Sequence, residues 1–288
     1  MDWKSHRIDA LLEQALVEDK AAGDTTTNLT IDPDLRATAS ILARQEMVVA
    51  GLGAVPRFLE IFARLDPRRQ AQTRFEVISH PEMFDGVRVH DGQVLAVIRH
   101  NARVLLSCER VILNLMQHLS GIATNTRRFV DAIHGTNARV LDTRKTVPGL
   151  RALEKYAVLC GGGTNHRLDL ASGILIKNNH IAAAGGVRNS LDRARQTGLP
   201  VEIEVRTREE LHKALECGAT HLLLDNLTPD AAADWIREIA GRAKVELSGG
   251  ITLANVRDYA DVGADFVSSG AITHSARAVD LSFRLELI

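Results

Sequence analysis

From about residue 138 to residue 270 the chain alternates short apolar runs with helical segments. No other feature restricts the fold as much. The runs are ARVLDT, GILIKN, VEIEV, HLLLDN, KVELSGG and DFVSSG. Successive strands separated by helices pair in parallel, because the crossover carries the chain back to the same end of the sheet. Polar residues follow almost every run rather than a single switch point, so the rhythm predicts a β/α barrel in preference to an open doubly wound sheet. Helix punctuation agrees. Thr207 with Glu210 predicts a capping box, Thr228-Pro229 an N-cap with proline at N1, and Thr252 the start of LANVRDYADVG. Gly218, Gly241 and Gly263 stand where helices should end.

The first third of the chain is mixed. SHRIDALLEQALVEDK sets Ile8, Leu11, Leu12, Ala15 and Leu16 on one helical face, with Ser5 as a candidate N-cap. The runs ATASILARQEMVVAG, TRFEVISH and QVLAVIRH are strand-like, and HDGQ between GVRV and QVLAVIRH predicts a hairpin. ARVLLSCERVILNLMQHLSG then has helical spacing and is expected to end at Gly121. An α+β domain leading into a long connecting helix follows from these pieces.

Bulk properties exclude several classes. The 35 basic and 36 acidic residues nearly cancel, which argues against a general polyanion binder. Walker A, GxGxxG, GxSxG and HExxH patterns are all absent, and aromatics at 4% are too sparse for a single-strand nucleic-acid surface. Cys108, Cys160 and Cys217 form no CxxC pair and read as reduced thiols. With no apolar leader and no run of roughly 20 apolar residues, a soluble cytoplasmic protein is expected.

Against that neutral background, residues 141–180 carry Arg144, Lys145, Arg151, Lys155, Arg167 and Lys177 but only Asp142, Glu154 and Asp169. In a barrel the loops after the strands meet at one mouth. Their strand-end residues are Arg144 and Lys145, Lys177, Glu204, Asp225, Ser248-Gly249-Gly250 and Ser269-Gly270. Each has a bland reading: a solvated lysine, a capping acid, a turn glycine. Six consecutive strands ending this way make the joint pattern harder to dismiss. SGGI and SGAI resemble anion cradles, since glycine lets backbone N–H groups approach a phosphate. Glu204 and Asp225 are hard oxygen ligands suited to Mg²⁺. His166 and Arg167 follow the Gly161–Gly163 triplet, and an arginine fork suits a carboxylate. The site therefore reads as built for two anions, one phosphorylated and one carboxylated.

These segments resemble the quinolinate phosphoribosyltransferase family almost end to end: GDTTT, ERVILNLMQHLSGIAT, LDTRKTVPGLRALEKYAVLCGGGTNHR, LIKNNH, VEIEV, LLLDN, ELSGGI and VSSGAITHSA. The resemblance implies an α/β protein: an open β/α barrel of fewer than eight strands (residues 116–275) beside an α+β sandwich (residues 1–115 with the tail 276–288). It also implies a cytoplasmic homodimer in which one subunit completes its partner's site. Carried over by motif, Arg110, Thr143, Arg144, Lys145, His166, Arg167 and Lys177 would surround quinolinate and the phosphoribosyl donor. Lys145, Lys177, Glu204 and Asp225 would be catalytic. Glu204 and Asp225 would face ribose hydroxyls and Mg²⁺, directly or through water, while Ser248, Gly249, Gly250, Ser269, Gly270 and Ala271 would take the 5-phosphate. Asn178 and Leu247 depart from the family pattern, where an acid and a smaller residue are expected. The rival readings are a relative on the same scaffold with another substrate, a Schiff-base aldolase using Lys145 or Lys177, and a non-catalytic binding barrel.

Overall fold

Residues 1–66 and 74–288 are described by the structure, a computed structural model. The chain divides into two units, Met1–Thr124 with Ala276–Ile288, and Asn125–Ser275.

The first unit begins with α1 (His6–Glu18), α2 (Thr25–Thr30), β1 (Arg36–Ala43), β2 (Met47–Val48) and α3 (Ala54–Leu65). It continues through β3 (Glu76–Ile78), β4 (Arg88–Val89) and β5 (Val94–Asn101) into the 31-residue helix α4 (Ala102–Ala132), which crosses the boundary between the units. Strand β1 buries Ala37, Ala39 and Ile41 in alternation, the signature of a sheet with one face on a core. The antiparallel sheet runs C-terminal strand Leu281–Leu287, β1, β5, β3. In α1 the buried residues are Ile8, Leu12 and Leu16, while Leu11 and Ala15 stay half-buried. Ser5 occupies the N-cap position without capping through its side chain; its hydroxyl donates to the Asp2 carbonyl.

Two expectations are corrected here. The hairpin at HDGQ does not form, because β4 pairs with β2 and β5 pairs with β1 and β3. Gly121 does not end the helix. A Cβ there would lie 2.3 Å from the Arg277 carbonyl oxygen, so this glycine makes room for the returning tail inside a continuing helix. Of TRFEVISH, Thr73 lies outside the described residues, and the strand is Glu76–Ile78.

The second unit follows the sequence rhythm closely: β6 (Arg139–Leu141), α5 (Arg151–Cys160), β7 (Ile174–Ile176), α6 (Asn178–Ala184), α7 (Val187–Ala194), β8 (Val201–Val205) and α8 (Arg208–Glu216), then β9 (His221–Asp225), α9 (Pro229–Ile239), β10 (Lys244–Ser248), α10 (Val256–Asp261), β11 (Phe266–Ser268) and α11 (Ala271–His274). The six strands are parallel in the order β6, β11, β10, β9, β8, β7. First and last strands are neighbours, and β7 is an edge, so the sheet stays open between β6 and β7. It is the open barrel of fewer than eight strands that was expected. Ile203, Val205, Leu222, Leu224, Val245, Leu247 and Val267 are buried at 3% exposure or less. Leu247 is therefore a core residue of β10, away from the site.

Caps largely obey the sequence. The Thr207 hydroxyl accepts from Glu210 N–H, and Thr228 accepts from Ala231 N–H. Glu210 reaches back to Arg206 N–H, one residue earlier than an ideal capping box. Helix α10 starts later than expected, with Asn255 at its N-cap, because Asn255 Oδ1 is taken by Thr252 N–H in a turn. Gly218, Gly241 and Gly263 adopt φ of 72°, 72° and 93° at the three C-terminal exits. Among the described residues no helix is long and apolar enough to cross a membrane.

Candidate active site

Alternation along the strands builds the site. Residues i and i+2 share a face, so Leu175 and Lys177, Glu204 and Arg206, Leu223 and Asp225, Glu246 and Ser248, and Ser268 and Gly270 line one cavity of about 820 Å³. The register aligns Glu204, Leu223 and Glu246 in one row and Asp225 with Ser248 in the next. Thr143, Arg144, Lys145, His166, Arg167, Gly249, Gly250, Ser269 and Ala271 complete it from the loops, so fourteen of the fifteen expected residues meet in one place. The fifteenth, Arg110, belongs to α4 in the first unit; its side chain is 63% exposed and 4.0 Å from Glu109.

The basic wall is held from behind. Lys155, 2% exposed, pairs with the fully buried Asp142, and donates to the His166 carbonyl at 3.0 Å. Asp142 also accepts from His166 N–H at 2.7 Å, and Asn165, its amide oriented by its neighbours, donates to the second Asp142 oxygen. Burial lifts the Asp142 carboxyl and depresses the Lys155 ammonium, each partly offset by the other. Lys155 thus belongs to the scaffold and not to the cations offered to a ligand. Gly163 lets this loop pack, since a Cβ there would lie 2.7 Å from Thr126 and 2.8 Å from Val158.

On that support stand Arg144 and Arg167. Burial, and then the neighbouring Arg144 guanidinium, push the Arg167 pKa down. Arg167 donates to the Gly173 carbonyl at 3.0 Å, yet the Nε atoms of Arg144 and Arg167 are both buried without a hydrogen-bond partner. Native structures seldom leave such donors orphaned unless something else satisfies them. His166 is fixed between the walls. Its Nδ1 accepts from Arg167 N–H at 2.8 Å, which assigns the proton to Nε2, facing Glu202 at 2.8 Å and Glu246 at 3.6 Å. Burial, and then the Glu202 charge, raise the Glu246 carboxyl well above the usual range.

The acidic wall is arranged differently. Glu204, 5% exposed, accepts from Arg206 Nε at 2.9 Å and Nη2 at 2.7 Å; the same Nη2 is 3.5 Å from Asp225. Asp225 also accepts from Asn226 at 2.7 Å. Both carboxylates therefore converge on one point, a donor set that suits a hard divalent cation.

The remaining wall is backbone. Among the described residues the N–H groups of Gly249, Gly250 and Gly270 have no intramolecular acceptor. Gly249, at φ 97°, approaches Asn226 so closely that a Cβ would lie 2.3 Å from its Oδ1. A Cβ on Gly270 would lie 2.7 Å from Lys145 Cδ and 2.9 Å from the His274 ring, so glycine there makes space for both. The Ser269 hydroxyl donates to the Ile251 carbonyl at 2.6 Å and accepts from Ala271 N–H, which commits it to the loop. Asn178 opens α6 and lines the cavity.

Sequence reasoning missed Arg206, Glu202, Glu246, His274 and the Asp142–Lys155 pair. A signal existed for two of them. The alternation that turns Glu204 and Ser248 inward turns Glu202 and Glu246 to the same face.

The comparisons with known proteins agree with this geometry. The family model for the quinolinate phosphoribosyl transferase C-terminal domain matches residues 122–284, and that for the N-terminal domain matches residues 24–120. A nicotinate-nucleotide pyrophosphorylase [carboxylating] of Mycobacterium leprae is 40% identical over 95% of this chain and 95% of its own length. A probable nicotinate-nucleotide pyrophosphorylase [carboxylating] of Bacillus subtilis is 39% identical over 98% of this chain and 94% of its own. The crystal structure of NadC from Streptococcus pyogenes superposes with a TM-score of 0.91 at 37% identity, covering 100% of this chain and 99% of that one. The chain belongs to the quinolinate phosphoribosyltransferase family.

Proposed function

We propose that the chain transfers the phosphoribosyl group of 5-phosphoribosyl 1-diphosphate to quinolinate with loss of CO₂, giving nicotinate mononucleotide and diphosphate in NAD biosynthesis. Family membership supports the reaction, and the neighbouring guanidinium groups of Arg144 and Arg167, both lining the cavity, carry the choice of acid. Two neighbouring guanidinium groups on one wall suit an anion with more than one carboxylate, and quinolinate has two on adjacent carbons.

In this reading Arg144, Lys145, Arg167 and Lys177 neutralise the dicarboxylate and hold its ring nitrogen toward C1 of the ribose. Positioning of this kind removes much of the entropic barrier. The N–H groups of Gly249, Gly250 and Gly270 receive the 5-phosphate. As the C1–diphosphate bond breaks, positive charge grows at C1, and Glu204 and Asp225 stabilise it. The ring nitrogen then bonds to C1 and becomes cationic. The bond from C2 to its carboxylate breaks next; the electron pair stays at C2 beside that nitrogen, CO₂ leaves, and a proton takes its place. Glu204 and Asp225 would hold Mg²⁺, directly or through water, and that ion supplies charge neutralisation to the leaving diphosphate.

Arg110 acts in the same scheme on the cavity of a partner subunit in a homodimer. Its exposed guanidinium and the long 4.0 Å ion contact to Glu109 support this. Mixing Arg110→Ala with Lys177→Ala should restore part of the lost activity through hybrid dimers; no recovery despite proven subunit exchange contradicts a shared site. Cys108, Cys160 and Cys217, which form no disulfide among the described residues, suit a reducing, cytoplasmic location. The reaction itself is tested by supplying quinolinate and the donor and measuring CO₂ and nicotinate mononucleotide. Failure to form both in equal amounts would contradict it. Borohydride trapping of an adduct on Lys145 or Lys177 would instead favour Schiff-base chemistry.

A further inference from the structure

Glu204 is a buried carboxylate, and a buried charge persists only with a partner. Its partner is Arg206, just past the end of the same strand, which places two donors on one Glu204 oxygen and extends the second donor toward Asp225. The two sides of this contact are unequal. The Glu204 side chain is 6% exposed and Asp225 18%, whereas Arg206 is 47% exposed on a long stem. The Arg206 backbone is fixed by the Glu210 carboxylate at the start of α8, so only its side chain is free to leave. The oxygens it occupies are those which the proposed reaction offers to ribose hydroxyls and Mg²⁺. A guanidinium and a hydrated metal ion cannot both occupy them at full strength.

We infer that Arg206 is an internal counter-ion, which neutralises Glu204 and Asp225 in the ligand-free enzyme and is displaced by the Mg²⁺-bound phosphoribosyl donor. This rests on the proposed function and adds a residue to it. Arg206 acts through the two carboxylates as a positioning residue: it keeps them converged and discharged until the donor arrives. The consequence is a penalty on donor binding, because the ion pair must open first.

The test is calorimetric titration of the full-length enzyme without quinolinate, using Mn²⁺ alone and then the donor with Mg²⁺. Arg206→Ala should bind both about three- to tenfold more tightly than the wild type, up to roughly 1.4 kcal/mol. Arg206→Lys, which keeps the charge but loses the fork, should fall between them. Quinolinate affinity should be the same in all three. The ligand-free Arg206→Ala protein should also melt lower than the wild type and gain more from Mg²⁺ and donor, because ligand then replaces the missing counter-ion. Unchanged or weaker donor binding in Arg206→Ala overturns the counter-ion role, while a wild type that makes nicotinate mononucleotide leaves the proposed reaction standing. A wild type that binds quinolinate and donor but forms no product removes the reaction and leaves the counter-ion role intact.

Discussion

The two charged walls of the cavity solve opposite problems. On the acidic wall Glu204 and Asp225 already have Arg206, so the protein neutralises itself there. On the basic wall Arg144 and Arg167 sit side by side with buried donors unsatisfied. Like charges held together in a partly dry site raise the free energy of the empty state, and an incoming dianion recovers that cost on binding. The difference teaches which side is waiting for substrate charge and which exchanges one cation for another. It also explains why the basic wall needs a rigid backing. Two guanidinium groups that repel each other stay in place only if the backbone carrying them is fixed, here by Asp142 and Lys155 through His166.

Breaking that backing should have the largest effect. Lys155→Met leaves Asp142 buried and unpaired, which costs about 3–5 kcal/mol of stability and is measured by chemical denaturation. Lys155→Met combined with Asp142→Asn should recover part of the loss, since the uncompensated charge is gone. If the single variant is as stable as the wild type, the pair is not the support of the basic wall.

Damage to the acidic wall should be smaller and kinetic. Asp225→Asn should keep quinolinate affinity and lower turnover about ten- to a hundredfold, because its charge matters most as the C1 bond breaks. Excess chelator should abolish the remaining rate. Full activity of Asp225→Asn in chelator would remove both carboxylates and Mg²⁺ from the mechanism.

The smallest effect concerns the floor between the walls. Burial and the Glu202 charge keep the proton on Glu246, so its folded pKa lies above the unfolded one. Stability from this group is present below the unfolded carboxylate range and is lost as pH rises through the folded value. Glu246→Gln cannot ionise. Its unfolding midpoint should therefore decline less than that of the wild type between pH 5 and pH 8, and parallel curves would show that Glu246 ionises freely.

Much of this site was legible in the sequence because barrel strands announce their ends. Lys177, Glu204, Asp225 and the two glycine loops each follow an apolar run, and the topology brings them together without further information. The capped starts of α8 and α9 were equally readable, since Thr207 and Thr228 act on neighbours three residues away. What stayed hidden depends on long-range packing. Gly121 looks like a helix stop until Arg277 is seen against it. Lys155 looks like one more cation for a ligand until Asp142 is found beneath it. Strand β4 chose β2 over β5, pairing Met47 with Val89, a partner far along the chain that no local turn signal encodes. Arg206 was hidden for a different reason: an arginine before a helix start reads as solvated surface, and only the folded site shows its guanidinium on Glu204 at the cavity.

The most direct test of the contrast between the walls is the affinity of the substrate-free enzyme for quinolinate and for nicotinate, measured by calorimetry without donor. Nicotinate lacks one carboxylate and would leave a buried guanidinium underpaired, at about 1–3 kcal/mol for each lost charged hydrogen bond. The wild type should prefer quinolinate by roughly a hundredfold or more, since a site built for polar groups rejects an analogue that lacks one. Arg144→Ala and Arg167→Ala should each lose most of that preference while gaining little affinity for nicotinate. Equal binding of the two acids by the wild type, or unchanged quinolinate affinity in both variants, would contradict the account.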